Sequence, residues 1–418
     1  MNQETIDFIR LHAHGDVQKL ALAGNRFPLV DMPYALQQIA GRQAACNKLP
    51  AWAAIDDLIY PPHLSMEQCS SQPTARYKAL LIQRLLEQTS KGSVQNPAKN
   101  EDFIGLSAPS IVDLTGGLGV DISFMAQQVP YATYVERQEM LCDIARHNFP
   151  LIQVGHVKVI CGDGEAYLHR LGFSTFIFLD PARRDLHGGK TVAIADCTPN
   201  VLTLKEELTS KSLYTLVKLS PMLDWHQAVI DLNDGCDIVR EIHLVSVKNE
   251  CKELLFVLSS KWQDPLKIYC VNDDSAFSCV LSSASDGQSH IFQDTISPGD
   301  YLYEPNASLM KAGCFEQLAV SFGVKAIAIN SHLFLSKTLI NDFPGRKFKI
   351  VKCSSFNKKE LKESLTGIRQ ANIAIRNFPM TVAELRKKLK LKDGGASYLF
   401  ATTDSSGNRW LLITHRAE

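Results

Sequence analysis

Four short apolar segments of the sequence each end in an acidic residue. Asp113 follows "SIV", Glu136 follows "ATYV", Asp163 lies two residues beyond "HVKVIC", and Asp180 follows "TFIFL". Carboxylates at the ends of neighbouring parallel strands converge on a crevice, where they accept hydrogen bonds from hydroxyl and amine groups. Each acid alone would also suit the N-cap of a following helix. Because four occur in succession, the pattern favours a binding site over four separate caps.

The loop after the first segment, "DLTGGLGVD", holds the densest group of candidate ligand-binding residues. Its glycines allow the backbone to turn tightly and to approach a ligand closely. A dinucleotide fingerprint would need a third glycine where the chain has Ile122, so a nicotinamide cofactor fits poorly. An acid before the glycines suits an amine-bearing or cationic ligand better than a pyrophosphate. The candidate residues are Asp113, Thr115, Gly116, Gly117, Gly119 and Asp121.

The second and third acids predict contacts with a nucleoside. Glu136 lies 23 residues after Asp113, a spacing at which an acid commonly holds the hydroxyls of a ribose. Arg137 adjoins Glu136 and belongs to the same candidate group. Asp163 and Gly164 lie where an exocyclic amine, such as that of adenine, could bind. For Asp163 taken alone, capping of the next helix is an equally good interpretation.

The hydrophobic pattern predicts the elements that position these residues. From about residue 108, five apolar runs are separated by helix-sized stretches, which predicts a parallel sheet with crossover helices. Two further runs, "EIHLVSV" and "ELLFVLSS", are joined only by "KNECK" and predict an antiparallel hairpin. Helical spacing before residue 100 predicts a helical region, with Ser70 and Ser71 as candidate N-caps. Beyond residue 261, alternating short strands and helices predict an α+β region.

The composition is that of an ordinary globular protein. The chain has 418 residues, 45% hydrophobic and 21% charged, which is enough for two or three domains. No apolar run is long enough to cross a bilayer, and residues 1–10 lack the pattern of a secretory signal. The eleven cysteines are scattered and form no CxxC pair. We therefore expect reduced thiols, no metal site and a cytoplasmic location.

Several motifs resemble those of a known family. "DLTGGLGVD", Glu136, "GDG" and "DPARR" are similar to motifs I to IV of class I S-adenosylmethionine-dependent methyltransferases. "YPPHLSMEQCSS", "KLSPMLD", "YEPNASLMKAG" and "LRKKLKLKDGG" are similar to bacterial methyltransferase-like proteins with a C-terminal THUMP-like domain. The resemblance implies an α/β fold whose Rossmann-like sheet is parallel with a terminal antiparallel hairpin. The implied domains are an N-terminal helical region (1–100), the methyltransferase domain (101–261), a small ferredoxin-like α+β region (262–345) and a basic THUMP-like domain (346–418).

The same resemblance implies S-adenosylmethionine as the cofactor and a role for each acid. Asp113 and the glycines would lie beneath its methionine part, Glu136 would hold the ribose, and Asp163 would contact the adenine edge. Asp180 and Pro181 would lie beside the transferable methyl group. The segment "SMEQCSS" would close over the cofactor, although its residues also suit capping of the next helix. Those residues are Glu67, Gln68, Ser70 and Ser71.

The loop "DPARRD" supplies the candidate catalytic residues, namely Asp180, Pro181, Arg183 and Arg184. An arginine pair beside an acid suits a phosphate or carboxylate of the substrate, because each guanidinium binds oxyanions with two hydrogen bonds. Alternatively, one of the arginines pairs with Asp180 or Asp185 and only stiffens the loop. No aromatic residue is present to stack on a base, although the plane of Arg183 could do so. Carbon methylation is disfavoured, because "KLSPMLD" has Ser220 where a nucleophilic cysteine would be needed.

Positive charge is concentrated towards the C-terminal end. From Gly345 to Lys392, fourteen Lys or Arg face three Glu, so this segment carries +11 and the rest of the chain −11. Phe348, Phe356 and Phe378 are interleaved with the charges. This pattern favours binding of structured RNA through its phosphates, with a solvated helical surface as the alternative. The candidate RNA contacts are Arg346, Lys347, Lys358, Lys359, Arg376, Arg386, Lys387, Lys388, Lys390 and Lys392.

The sequence therefore predicts an S-adenosylmethionine-dependent methyltransferase that acts on structured RNA such as tRNA or rRNA. One alternative is a methyltransferase for a small anionic molecule or a protein, with a structural C-terminal region. The other is a noncatalytic RNA-binding protein that retains the cofactor fold. The sequence predicts neither the methylated atom nor the oligomeric state.

Overall fold

The computed structural model describes residues 2–90, 108–183, 193–262, 264–280 and 290–417. The chain divides into two compact units, Met1–Ile242 with Lys252–Leu266 and His243–Cys251 with Lys267–Glu418. In the described ranges, no helix is long and apolar enough to cross a membrane. The domain boundaries at 100, 261 and 345 remain predictions.

Within residues 2–90, six α-helices precede the sheet of the first unit, as the helical spacing predicts. Several begin at capping residues: the side chain of Asp16 accepts hydrogen bonds from two backbone N–H groups of the next helix, and Asp31 accepts one from Tyr34 N. Trp52 and Tyr60 belong to the apolar cluster beneath these helices. The helices are α1 (Gln3–Leu11), α2 (Val17–Leu22), α3 (Met32–Lys48), α4 (Pro50–Ala53), α5 (His63–Gln68) and α6 (Gln72–Ser90).

The sheet of the first unit has the predicted parallel arrangement with an antiparallel end. The parallel strands lie in the order β7-β4-β1-β2-β3, and β9 pairs antiparallel with β7. The strands are β1 (Ser110–Asp113), β2 (Tyr131–Glu136), β3 (Val157–Cys161), β4 (Ser174–Leu179), β7 (Ser212–Leu219), β8 (Val239–Val247) and β9 (Glu250–Leu258), and a separate short pair is formed by β5 (Ala182–Arg183) and β6 (Cys197–Thr198). Residues His243–Cys251 of β8, β9 and the turn between them are assigned to the second unit. The helices among them are α7 (Val120–Met125), α8 (Glu139–Leu151), α9 (Gly164–Arg170), α10 (Val201–Ser210) and α11 (Trp225–Asn233).

The hairpin between β8 and β9 turns through only two residues. Lys248 and Asn249 both have left-handed backbone angles, with φ of 52° and 60°. Such a turn twists in the same sense as the strands that it joins. The structure thus confirms the predicted hairpin, with longer strands and a shorter turn than "KNECK" indicated.

The second unit contains a hairpin and a seven-stranded sheet. The hairpin consists of β10 (Lys267–Asn272) and β11 (Ser275–Val280). The sheet has the order β13-β14-β12-β15-β18-β17-β16, and apolar clusters that include Phe348 and Leu399 pack against it. Its strands are β12 (Tyr301–Pro305), β13 (Lys325–Ala326), β14 (Phe334–Ser336), β15 (Gly345–Ser355), β16 (Asn372–Arg376), β17 (Tyr398–Thr403) and β18 (Arg409–Arg416), and its helices are α12 (Ala307–Ala312), α13 (Phe315–Phe322), α14 (Lys358–Ser364) and α15 (Val382–Leu389).

Candidate functional site

A crevice of about 960 Å³ lies in the first unit where the parallel strands end. Asp113, Glu136, Asp163 and Asp180 all line it, as the succession of acidic strand ends predicts. The candidate cofactor residues Thr115, Gly116, Gly117, Gly119, Asp121, Arg137 and Gly164 also line the crevice, as does Pro181. The fold therefore brings together residues that are up to 68 positions apart in the sequence.

Asp113, at the end of β1, lies on the floor of the crevice and is 1% exposed. Its Oδ1 accepts a hydrogen bond of 2.9 Å from Thr115 N. The Thr115 hydroxyl oxygen in turn accepts a bond of 2.6 Å from Asp180 N and so ties the first loop to the end of β4. Burial, together with the charges of Asp121 and Asp180, raises the pKa of Asp113 to about 8. Without a positive charge nearby, this carboxyl group is therefore mostly protonated at neutral pH.

The glycines of the loop are required by close packing and by backbone geometry. A Cβ atom at Gly116 would lie 2.2 Å from the Tyr134 ring, and Gly119 has a left-handed φ of 81°. Gly117 N donates a hydrogen bond of 2.9 Å to Glu136 Oε2. Tyr134 donates its hydroxyl hydrogen to Gly117 O. The loop is thus held against the end of β2, with its backbone facing the crevice.

The other two acids differ in how their oxygens are used. Glu136 accepts backbone hydrogen bonds on both oxygens, from Gly117 N and from Gln138 N. Each carboxylate oxygen has a further lone pair, so Glu136 keeps acceptor capacity towards the crevice. Asp163 caps α9 by accepting a bond of 2.9 Å from Ala166 N. The capping interpretation of Asp163 is therefore correct, although the residue also lines the crevice.

The loop "DPARRD", which supplies the candidate catalytic residues, is described only in part. Ala182 and Arg183 pair as β5 with Thr198 and Cys197 of β6. The side chain of Arg183 and the whole of Arg184 lie outside the described residues. Their roles as anion-binding or loop-stiffening groups remain predictions.

A buried network of charges behind Asp180 escaped the sequence reasoning. Lys218, on β7, contacts Asp180 Oδ2 at 2.5 Å and Ser70 Oγ at 3.1 Å. Lys78, on α6, contacts Asp121 Oδ1 at 3.1 Å and Glu253 Oε1 at 2.7 Å. The available signal was a charged residue within an apolar pattern: Lys218 interrupts "YTLVKLS", and Lys78 lies beside Ala79 on the apolar face of its helix.

This network changes the interpretation of two predicted residues. Asp121 was expected to contact the cofactor, but its carboxylate accepts a bond of 2.7 Å from Ser70 Oγ and pairs with both lysines. Burial raises the pKa of Asp121, but the two lysines outweigh burial and lower it. Ser70 therefore belongs to this network, whereas Ser71 precedes α6 and its carbonyl accepts from Ala75 N. Glu67, Gln68 and Ser70 of "SMEQCSS" line the crevice.

The basic residues of the second unit fall into two groups. Arg346 and Arg376 both pair with Glu304, which is 2% exposed, and Arg386 pairs with Asp393 at 2.6 Å. Lys347 donates to Asn341 O at 2.6 Å. These four side chains have partners inside the unit. The other six predicted RNA contacts are exposed, namely Lys358, Lys359, Lys387, Lys388, Lys390 and Lys392.

The aromatic residues among these charges do not form a surface for stacking. Phe348 is completely buried in the core of the sheet. The rings of Phe356 and Phe378 lie 4.6 Å apart and pack against the second apolar cluster. These aromatic residues contribute to the packing of the unit, because alternation along β15 points Phe348 inwards and the neighbouring lysines outwards.

Comparison with solved structures identifies a relative over the whole length of the chain. A crystal structure from Porphyromonas gingivalis W83, described as a "putative methyltransferase", is 31% identical and covers 99% of this chain and 98% of its own, with a TM-score of 0.81. "Human methyltransferase 10 domain containing protein" is 12% identical over 53% of this chain and 96% of its own, with a TM-score of 0.37. A comparison with curated proteins found no match.

Two family models match the second unit. A THUMP domain-like model matches residues 345–416, and a ferredoxin-like domain model matches residues 301–344. The Rossmann-like sheet and the crevice at its strand ends define the first unit as a methyltransferase fold. The chain belongs to the methyltransferase family of the Porphyromonas gingivalis protein and carries a THUMP-like domain at its C-terminal end.

Proposed function

We propose that the chain is an S-adenosylmethionine-dependent methyltransferase that acts on structured RNA. The observation that carries the proposal is the convergence of Asp113, Glu136, Asp163 and Asp180 on one crevice of about 960 Å³. This volume is sufficient for a nucleoside-sized cofactor together with part of a substrate. When bound, the cofactor would supply a methyl group on a positively charged sulfur. An acidic crevice suits that charge.

The residues at the strand ends fit the parts of this cofactor. Glu136 keeps acceptor capacity for two ribose hydroxyls, and Asp163 lies at the start of α9, where it would accept from an adenine amine. Gly164 lets the start of α9 pack against the loop after β1, because a Cβ atom there would lie 2.0 Å from Leu114 O. Asp113 would lie beneath the methionine part, where a cation would favour its ionised form. Asp180 and Pro181 would orient the methyl acceptor.

RNA is the proposed substrate because of the second unit. Its six exposed lysines suit phosphate groups, and its match to a THUMP domain-like model supports RNA as the partner. Arg346, Arg376 and Arg386 would act by holding the unit together, because each already has a carboxylate partner. The cytoplasmic location remains a prediction from the cysteine pattern.

Calorimetry with the full-length protein tests the cofactor. We expect S-adenosylmethionine and S-adenosylhomocysteine to bind, and Glu136→Gln to weaken binding about tenfold or more by removing a charged acceptor. Glu139→Gln is the matched control, because Glu139 is exposed on α8, three residues away. Absence of binding by the unmodified protein would leave the noncatalytic RNA-binding alternative.

Mass spectrometry of RNA nucleosides tests the substrate. RNA from cells that lack the protein should be missing one methylated nucleoside that is present in RNA from cells that have it. Identical nucleoside profiles, with cofactor binding intact, would favour a small molecule or a protein as the substrate.

A further inference from the structure

Alternating charges form a continuous chain from the interior of the first unit to the crevice. We call it the charge chain; its members in order are Glu253, Lys78, Asp121, Lys218 and Asp180. Glu253 and Asp121 flank the Lys78 ammonium at 2.7 and 3.1 Å. Asp121 and Asp180 flank the Lys218 ammonium at 3.7 and 2.5 Å. Ser70 Oγ joins the two halves, because it lies 2.7 Å from Asp121 Oδ2 and 3.1 Å from Lys218 Nζ.

The two ends of the charge chain differ in exposure. Lys78 is completely buried and Glu253 is 2% exposed, whereas the side chains of Lys218 and Asp180 are 13% and 37% exposed and line the crevice. Removing charged groups from water is costly, and well-packed apolar residues in their place are often at least as stabilising. Stability alone therefore explains the charge chain poorly. Its exposed end, at Asp180, is where a substrate atom would contact it.

The Lys218 ammonium restricts the kind of atom that can accept a methyl group beside it. An ammonium has three N–H donors and no acceptor, and two of the donors face Asp180 and Ser70. Asp121 Oδ2, at 3.7 Å, is beyond hydrogen-bond distance and leaves the third donor available. The third can bind only an atom with a lone pair. An exocyclic amine of a base has one lone pair, which it needs for the attack. A hydroxyl oxygen has two lone pairs, so it can accept from Lys218 with one and attack with the other.

Asp180 completes the requirements of a hydroxyl acceptor. A hydroxyl must lose its proton during methylation, so a proton acceptor has to lie beside it. Asp180 pairs with Lys218 through Oδ2, and the second carboxylate oxygen, Oδ1, is a suitable proton acceptor. Burial lowers the pKa of Lys218, but Asp180, Asp121 and Glu253 outweigh burial and raise it above its ordinary value. Lys218 therefore remains a charged donor, and the role of base falls to Asp180.

We propose that the methyl acceptor is a ribose hydroxyl of RNA, held by the Lys218 ammonium and deprotonated by the Asp180 carboxylate. This inference rests on the proposed function and names its acceptor atom. In the reaction an O–CH₃ bond forms and the C–S bond breaks, with its electron pair remaining on sulfur. The O–H bond also breaks, and its proton passes to Asp180. The Lys218 ammonium keeps its charge throughout.

The test uses full-length protein, methyl-labelled S-adenosylmethionine and total RNA from cells that lack the protein. Methylation of a ribose 2′-oxygen prevents that oxygen from attacking the adjacent phosphate, so alkali leaves the labelled nucleotide in a resistant dinucleotide. We expect the label in such dinucleotides and, after enzymatic digestion, on the sugar fragment in mass spectrometry. Label on a base, or no label although the cofactor binds, would overturn the inference.

Variants link the product to the two residues. Lys218→Met should lower the rate of transfer ~10²–10⁴-fold, in the range typical of lost acid–base and electrostatic assistance. Asp180→Asn should act similarly. Lys158→Met is the matched control, because Lys158 is exposed on β3, and it should leave the rate unchanged. Calorimetric binding of S-adenosylhomocysteine provides a readout besides activity, and we expect it to change less than about threefold in Lys218→Met.

These measurements distinguish a failure of the proposed function from a failure of the proposed acceptor atom. If the unmodified protein binds no cofactor, the proposed function fails. If it binds the cofactor but labels a base amine, the proposed function stands and only the hydroxyl acceptor is wrong. Normal transfer by Lys218→Met would contradict the role assigned to Lys218.

Discussion

The strongest quantitative prediction concerns the effect of pH on cofactor binding. Asp113 is buried beneath the proposed position of a positively charged ligand, and its pKa without ligand is raised to about 8. A cation nearby favours the ionised carboxylate, so binding should require, and cause, loss of the proton. Because binding selects the ionised form, affinity should increase as the pH rises towards 8.

The expected size follows from the fraction of Asp113 that is ionised before binding. With a pKa of about 8, roughly 1% is ionised at pH 6 and about 9% at pH 7. The apparent Kd is the intrinsic Kd divided by that fraction, so it should fall about tenfold between these pH values. The amino group of the ligand also titrates near pH 8, so the measurement is best confined to lower pH.

Isothermal titration calorimetry in buffers of different ionisation enthalpy measures both quantities. At pH 7 we expect release of about 0.9 proton for each S-adenosylmethionine bound. Asp113→Asn should abolish both the proton release and the pH dependence of Kd. Asp163→Asn is the matched control, since asparagine also caps helices and the pH dependence should persist. A Kd that stays constant from pH 6 to pH 7, with no proton release, would refute the reasoning.

Three further predictions concern packing, stability and RNA binding. Gly116→Ala should destabilise the first unit by about 1–3 kcal/mol in urea unfolding, because its Cβ would lie 2.2 Å from a tyrosine ring; Gly162→Ala, where a Cβ meets nothing within 4 Å, should not. Glu304→Gln should destabilise the second unit by about 2 kcal/mol, because two partly solvated arginines lose their shared carboxylate, and an unchanged unfolding midpoint would contradict this. The double variant Lys387→Glu, Lys388→Glu should weaken RNA binding with little change in stability. The slope of log K against log salt concentration should fall by about one for each lost phosphate contact. An unchanged slope in filter binding would argue against RNA at this surface.

Much of the sheet and part of the candidate site could be predicted from the sequence. Strands β1, β2 and β4 are mostly apolar runs. The acidic residues Asp113, Glu136 and Asp180 mark where each run stops. The two hairpin strands were equally clear, because a short connection allows only antiparallel pairing. Local sequence was sufficient in these cases, because the spacing of apolar residues and the residues that end each element lie within a few positions.

The basic segment shows where local pattern is not sufficient. Arg346 and Lys358 both contributed to the +11 charge, yet Arg346 pairs with the buried Glu304, whereas Lys358 is exposed. Glu304 lies 42 positions before Arg346, and only the pairing of β12 with β15 makes them neighbours. Phe348 lies among the same charges and is buried, because the inner face of a strand is defined by what packs against it.

By itself the sequence determined the order of strands and helices along the chain and the acidic residues at or near the ends of four strands. These features depend on backbone preferences and on burial of apolar side chains, which act over short stretches. The tertiary structure alone decided which charges meet. Lys78 and Glu253 are 175 positions apart, and only the folded chain brings Lys78 on α6 into contact with Glu253 on β9. Electrostatic interactions depend on distance in space and on exclusion of water, and both are set only when the chain is folded.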